Sequence, residues 1–163
     1  MQLRFMQGTQ LDSEAIVLLE KVAMPFPPSH AEAVMPNGNF FGAHLIGGVK
    51  ERPAGYDEAT IAIEPATGKK REFFLTLPAT SAEDQIFYDY LRKHEGEAYD
   101  WRAILGFIVP EHEHTVNHVI CSALITLALR ACNWFETPLA APAHLVDPRD
   151  LLLVISGRIH VPM

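Results

Sequence analysis

The chain has 163 residues, of which 48% are apolar, and a formal net charge of −7. This is the length of a single domain, with enough apolar residues to bury a core without disulfides or metals. The acidic balance, with no run rich in Lys and Arg, disfavours broad binding to a phosphate backbone, so no nucleic-acid partner is expected.

Leu3 and Phe5 alternate with polar neighbours and predict a short first strand. Ser13 is placed as the N-cap of a helix over about residues 14–23, with Ile16, Leu19, Val22 and Ala23 at helical spacing. Pro25–Pro28 ends it. The runs His30–Met35 and Phe40–Ile46 flank Pro36-Asn37-Gly38-Asn39, and Asn-Gly tolerates the positive φ of a tight turn, so an antiparallel hairpin is predicted. Gly47-Gly48-Val49 leads out of it into a charged loop, Lys50–Arg52. A second hairpin is expected from Thr60–Glu64 and Glu72–Leu77, turning at Thr67–Lys70.

Ala79-Thr80-Ser81 caps a helix over about 81–94, with Ile86, Phe87, Tyr90 and Leu91 expected inward. A short helix over Tyr99–Val109 and a polar loop over Pro110–His114 follow. A strongly apolar helix is placed from Thr115 or Asn117 to Asn133, then a loop over Thr137–Pro148. Asp147-Pro148 opens a last helix to about Val154, and Gly157–Val161 is read as an edge strand. Strands fall mainly in the first half and a buried helix in the second. That segregation predicts a single α+β domain, an antiparallel sheet packed against the buried helix.

MQLRFMQGTQ lacks an apolar stretch of signal-peptide length, and no run approaches the ~20 apolar residues of a membrane span. Cys121 and Cys132 stand on one predicted helix, about 16 Å apart at its usual rise. That is too far for a disulfide. Two free thiols and a reducing, cytoplasmic setting are expected.

Cys121 is the first candidate for chemistry. A helix N-terminus, with its unpaired amides and partial positive charge, stabilises the reactive thiolate. The alternative is a buried core cysteine, since free cysteine is among the most buried residue types. Cys132, toward the other end of the helix dipole, is read as core. His30 opens an apolar strand, a rigid mount for a general base. His44 lies on the partner strand. Around a turn centred near Asn37-Gly38, residue 30 pairs roughly with residue 45, and a small register change sets the two histidines side by side. A second group bonded to the base would hold its tautomer, as in a triad. Glu32 shares the strand parity of His30 and is read either as an orienting group or, the safer reading, as a solvated carboxylate. Glu111-His112-Glu113-His114, followed by His118, offers a competing metal site, because His114 and His118 share a helix face. The spacing lacks the Glu of HExxH. There is no Gly-rich phosphate loop and no GxSxG.

Ser29-His30-Ala31-Glu32, Gly42-Ala43-His44, Gly47-Gly48-Val49 and Cys121-Ser122 together resemble the circularly permuted branch of the NlpC-type, papain-like cysteine peptidases. That branch includes the YiiX-like and the lecithin retinol acyltransferase-like proteins. In it the histidine strand precedes the cysteine helix. The resemblance covers nearly the whole chain and implies a permuted papain-like fold. It implies Cys121 as nucleophile, His30 as base and His44 as orienting residue, with Tyr99 and Ser122 as supporting candidates near the thiol. It implies no cofactor, and a peptide or acyl substrate: cell-wall peptides, other peptide amides or lipid esters. Such domains also suit prophage-encoded proteins. The chain departs from the pattern at Ala123, where relatives often carry an acidic residue, and in the Glu-His loop. The rival expectations are a non-catalytic peptide- or acyl-binding module of the same fold, and a metal-binding protein using His112, His114 and His118.

Overall fold

The structure, a computed structural model, describes residues 1–9, 28–99, 118–135, 137 and 139–159. Five strands form one antiparallel sheet: β1 (Gln2–Met6), β2 (His30–Val34), β3 (Phe40–His44), β4 (Gly48–Arg52) and β5 (Glu72–Thr76), in the order β4-β3-β2-β1-β5. Three helices follow among the described residues: α1 (Ser81–Lys93), α2 (Cys121–Ala131) and α3 (Pro148–Arg158). Between α1 and α2 a two-residue strand, β6 (Ala98–Tyr99), pairs in parallel with another, β7 (His118–Val119). The α+β class and the antiparallel sheet agree with the sequence reading.

The sheet is central to the core because β1 and β2 alternate two kinds of side chain. Leu3 and Phe5 register with Ala33 and Ala31, and all four are fully buried. They join Phe41, Ala43, Leu124, Ile125 and Ala128 in one apolar cluster between sheet and α2. The intervening positions carry Arg4 opposite Glu32. These two are buried as well, so the strand has no solvent face despite its alternation.

Helix ends follow local chemistry. Thr80 caps α1 through a capping box with Glu83, satisfying two otherwise orphaned amides. Asp147 accepts from the Asp150 amide at the start of α3, with Pro148 in its first turn. At the end of α2, Trp134 N–H donates to Leu129 and Asn133 N–H to Arg130. Asn133 takes φ 54. This is the Schellman arrangement, with asparagine in the left-handed position usually given to glycine.

Several expectations change. The piece after the first hairpin is a strand, not a loop: β4 extends the sheet, and its free edge is closed by hydrogen bonds between Val49 and Gly96-Glu97. That closure keeps an exposed edge from templating other chains. The second predicted hairpin is reduced to an isolated bridge, Ile63 to Lys70, while β5 pairs with β1 instead. Burial of Phe73 and Leu75 against the core decides that pairing. Ile86 is exposed, whereas Phe87 and Leu91 carry the inner face of α1. Helix α2 starts at Cys121, because His118 and Val119 are drawn into strand pairing. Helix α3 runs on to Arg158, so Gly157 is helical and no edge strand begins there. The helix expected over 14–23, and Tyr99–Val109 beyond Tyr99 itself, lie outside the described residues. No described helix is long and apolar enough to cross a membrane.

Candidate active site

Strand register assembles the site. Ala33 pairs with Phe41 and Val34 with Phe40, partners whose numbers sum to 74. Carried along the strands, that register sets His30 opposite His44 and Glu32 opposite Gly42. The two histidine Nε2 atoms are 3.0 Å apart. His44 Nε2 lies 2.8 Å from Glu32 Oε1, and His30 Nε2 lies 3.6 Å from the same oxygen. The one-residue offset expected from the turn is removed by this register, so both histidines share a face.

Glu32 is fully buried, not solvated. A buried carboxylate needs partners for both oxygens, and it has them. Tyr56 Oη donates to Oε1 at 2.8 Å and also lies 2.6 Å from His44 Nε2. Arg4 Nη1 donates to Oε2 at 3.0 Å. Arg4, itself 1% exposed, further grips Asp57 in a two-point pairing and reaches Glu72 through Nε. The face opposite the apolar core is therefore a buried charge network, roofed by the segment that carries Tyr56 and Asp57.

Cys121 is the first residue of α2, and its sulfur lies near enough to His30 to act on the charge of that ring. Two features of the fold deliver it there. Helix α2 packs on β2 and β3, and β7, immediately before it, is held by β6, which packs against β3 and β4. As the first helical residue, Cys121 presents an amide with no partner inside the helix. Ile120 supplies no side-chain cap. The next residue, Ser122, is fully buried and donates through Oγ to the Val146 carbonyl at 2.6 Å. Its hydroxyl thus ties α2 to the segment before α3 and is not turned to the thiol chemistry. Cys132 is buried at the far end of the helix, its Sγ donating to the Leu129 carbonyl. Burial pushes its pKa up. Both cysteines are free.

The charges are sorted within this cluster. Burial alone would strip the proton from His30, but the facing Cys121 sulfur and the nearby Glu32 carboxylate outweigh it, raising the pKa to about 10. Burial and the positive charge of His30 depress His44 to about 4, against the pull of Glu32. Burial also disfavours a charged Glu32, yet the nearby charge of His30 and the bond to His44 hold it well below the ordinary carboxylate range. The result is one imidazolium, one neutral imidazole and one carboxylate, with the imidazolium beside the thiol. Burial, and then the charges of Glu32 and Asp57, push Tyr56 upward, so it stays a hydroxyl donor.

Among the sequence candidates, the fold brings together Cys121, His30, His44 and Glu32. Tyr99 contributes a backbone position in β6, paired with Val119. His118 likewise sits in β7, but its side chain, together with His112 and His114, lies outside the described residues. Sequence reasoning did not find Tyr56 or Arg4. Tyr56 lies in a loop with no periodicity, and Arg4 occupies an alternating position that reads as solvent-facing. Gly42 did carry a signal, because glycine inside a strand marks close approach of another group. Comparison with protein-family models and with curated proteins finds no match.

Proposed function

We propose that the protein is a thiol hydrolase that cleaves an amide or ester through an acyl-enzyme, with Cys121 as nucleophile, His30 as its proton partner, and His44 with Glu32 as the orienting pair. One observation carries this reading: a cysteine at the first turn of a buried helix stands beside a histidine whose ring is held by a second histidine and a buried carboxylate. A structural cysteine needs no such retinue.

The steps follow from the charges. The thiolate of Cys121, paired with protonated His30, attacks the carbonyl carbon. The carbonyl π electrons move to oxygen, which meets the helix-start amide of Cys121 as part of an oxyanion hole. Collapse of the tetrahedral species expels the amine or alcohol, which takes the His30 proton and leaves a thioester. Water then gives a proton to His30 and its hydroxyl to the acyl carbon, releasing acid and restoring the ion pair. Neutral His44 and ionised Glu32 keep the His30 ring facing the sulfur throughout, the triad logic with a doubled third member.

The chain order, with the histidine strand before the cysteine helix, supports the likeness to the permuted NlpC-type branch. On that likeness rest the permuted papain-like assignment and the choice of peptide amides, cell-wall peptides among them, or lipid esters as substrates. Cys121 is only 2% exposed, so the test uses a small electrophile. Iodoacetamide should label Cys121 quickly at neutral pH and leave Cys132 unlabelled in the folded protein. His30→Ala should slow labelling of Cys121 by about 100-fold, within the usual contribution of a positioned acid–base partner. Slow labelling that ignores His30→Ala would leave only a binding module of the same architecture.

A further inference from the structure

We propose that His30, Glu32 and His44 also form a site for one divalent transition-metal cation of the zinc class, and that such an ion silences the thiol by occupying its base. The silencing half rests on the reading of His30 as the partner of Cys121; the binding half does not.

The geometry is the first argument. One ligating atom from each residue lies within 4.8 Å of the others. The triangle they form has sides of 3.0, 2.8 and 3.6 Å. A point equidistant from all three lies roughly 1.9 Å from each, so an ion at the usual zinc–nitrogen or zinc–oxygen distance of about 2.0–2.2 Å sits just outside their plane. No large movement is needed. The ligands ride on adjacent strands and are spaced by the pleat and the register.

A count of protons is the second argument. Glu32 Oε1 can only accept. If His30 Nε2–H points at His44 Nε2, the 2.8 Å contact between His44 Nε2 and Glu32 Oε1 brings two lone pairs together. If His44 Nε2–H points at Glu32, it and the Nε2–H of protonated His30 crowd each other across the 3.0 Å contact. Neither arrangement of protons satisfies all three sides of so tight a triangle. A cation at its centre serves all three, because it accepts every lone pair at once.

The surroundings complete the site. Arg4 holds the second oxygen of Glu32 at 3.0 Å, an outer contact that fixes a ligating carboxylate. Tyr56 Oη, 2.6 Å from His44 Nε2 and 2.8 Å from Glu32 Oε1, adds a neighbouring oxygen. Two imidazoles and one carboxylate suit zinc and its late transition-metal neighbours, whereas calcium and magnesium prefer all-oxygen shells.

The test is a zinc titration of the purified full chain in competition with a chromogenic chelator. We expect one equivalent bound in the micromolar range or tighter. Binding should be weaker by at least about tenfold in His44→Gln and in Glu32→Gln, and unchanged in Cys121→Ser and in the double variant His114→Ala/His118→Ala. X-ray absorption of the zinc-loaded wild type, which needs no variant to fold, should show two imidazoles in the first shell. Absence of micromolar binding, binding indifferent to His44→Gln, or binding lost with Cys121 or with His114 and His118 would overturn the site. One equivalent of zinc should also slow iodoacetamide labelling of Cys121, and a chelator should restore it. Zinc bound as described with labelling unaltered would sink the silencing alone. Metal-free labelling that ignores His30→Ala would sink the hydrolase reading and leave the zinc site standing.

Discussion

Gly42 and Glu32 face each other across the β2–β3 ladder, and the glutamate fills the space that a Cβ on Gly42 would claim. A methyl there would lie 3.0 Å from Glu32 Cγ and 3.1 Å from Oε1. The glutamate has no easy retreat, because Arg4 and Tyr56 hold its two oxygens. In an ordinary strand, Gly→Ala stabilises by limiting the unfolded chain. Here the sign should reverse. Gly42→Ala is expected to cost about 1–3 kcal/mol, the usual penalty of overpacking, and to slow labelling of Cys121. Denaturant melts and labelling rates check both, and a stabilised Gly42→Ala with unaltered labelling would show that Glu32 is not confined.

The orienting pair can be separated from the base. Glu32→Gln keeps size but removes the charge that supports protonated His30. The pH at which Cys121 labelling loses its dependence on His30 should therefore fall, with the fold retained. Tyr56→Phe removes one hydrogen bond from Glu32 and one contact with His44, and should lower the labelling rate by less than Glu32→Gln does. A pH–rate profile of each variant reads the difference. Equal effects, or none, would argue against a relay through Glu32.

Loss of Arg4 should be costly because of the carboxylates it would leave behind. Arg4 is the shared cation for Glu32, Asp57 and Glu72 and lies over the Phe40 ring. Its burial opposes the charge, but its bonds to Asp57 and the charge of Glu32 raise its pKa further. Arg4→Met strands two buried carboxylates, and breaking a buried pair from one side costs about 3–5 kcal/mol. The loss appears as a lower denaturation midpoint. Arg4→Lys should recover only part of it, because an ammonium cannot reproduce the forked contact with Asp57.

Stability should climb to about pH 6.5 and hold to about pH 8.5. The depressed pKa of His44, about 4, means the unfolded chain binds more protons than the folded one between about 4 and 6.5. Stability therefore rises with pH across that window. Glu32, also held low, steepens the acid side. The raised pKa of His30, about 10, acts in the other direction, but its extra proton is matched by that on the unfolded thiol until the latter ionises near 8.5, so the loss falls between about 8.5 and 10. Urea midpoints measured across pH test this. His44→Gln should flatten the acid limb and His30→Gln the alkaline limb; unchanged limbs would remove these groups as the cause.

Local signals account for much of what was legible in the sequence. Asn37-Gly38 announced the β2–β3 hairpin because its turn geometry depends on few residues. Thr80 with Glu83, and Asp147 with Pro148, announced two helix starts for the same reason. The failures are non-local. β5 pairs with β1, about 70 positions away, through burial that no window of sequence contains. His118 and Val119 left the apolar helical run because β6 offered backbone partners. Arg4 and Glu32 read as surface residues, since alternation reports that two faces differ but not that the polar face is covered.

The sequence by itself determined the types of group available: one thiol near the start of an apolar helical run, two histidines on the arms of a hairpin, and a glutamate in phase with one of them. It did so because turn chemistry, capping and strand parity act within a few residues. The tertiary structure alone decided that these groups meet and how their protons are shared. Register set His30 beside His44, packing of α2 on the sheet brought Cys121 to His30, and burial under Tyr56 and beside Arg4 turned Glu32 into a fixed charge. The histidines carry opposite pKa shifts, one up and one down, because each depends on the charge of its neighbours in space rather than in the chain.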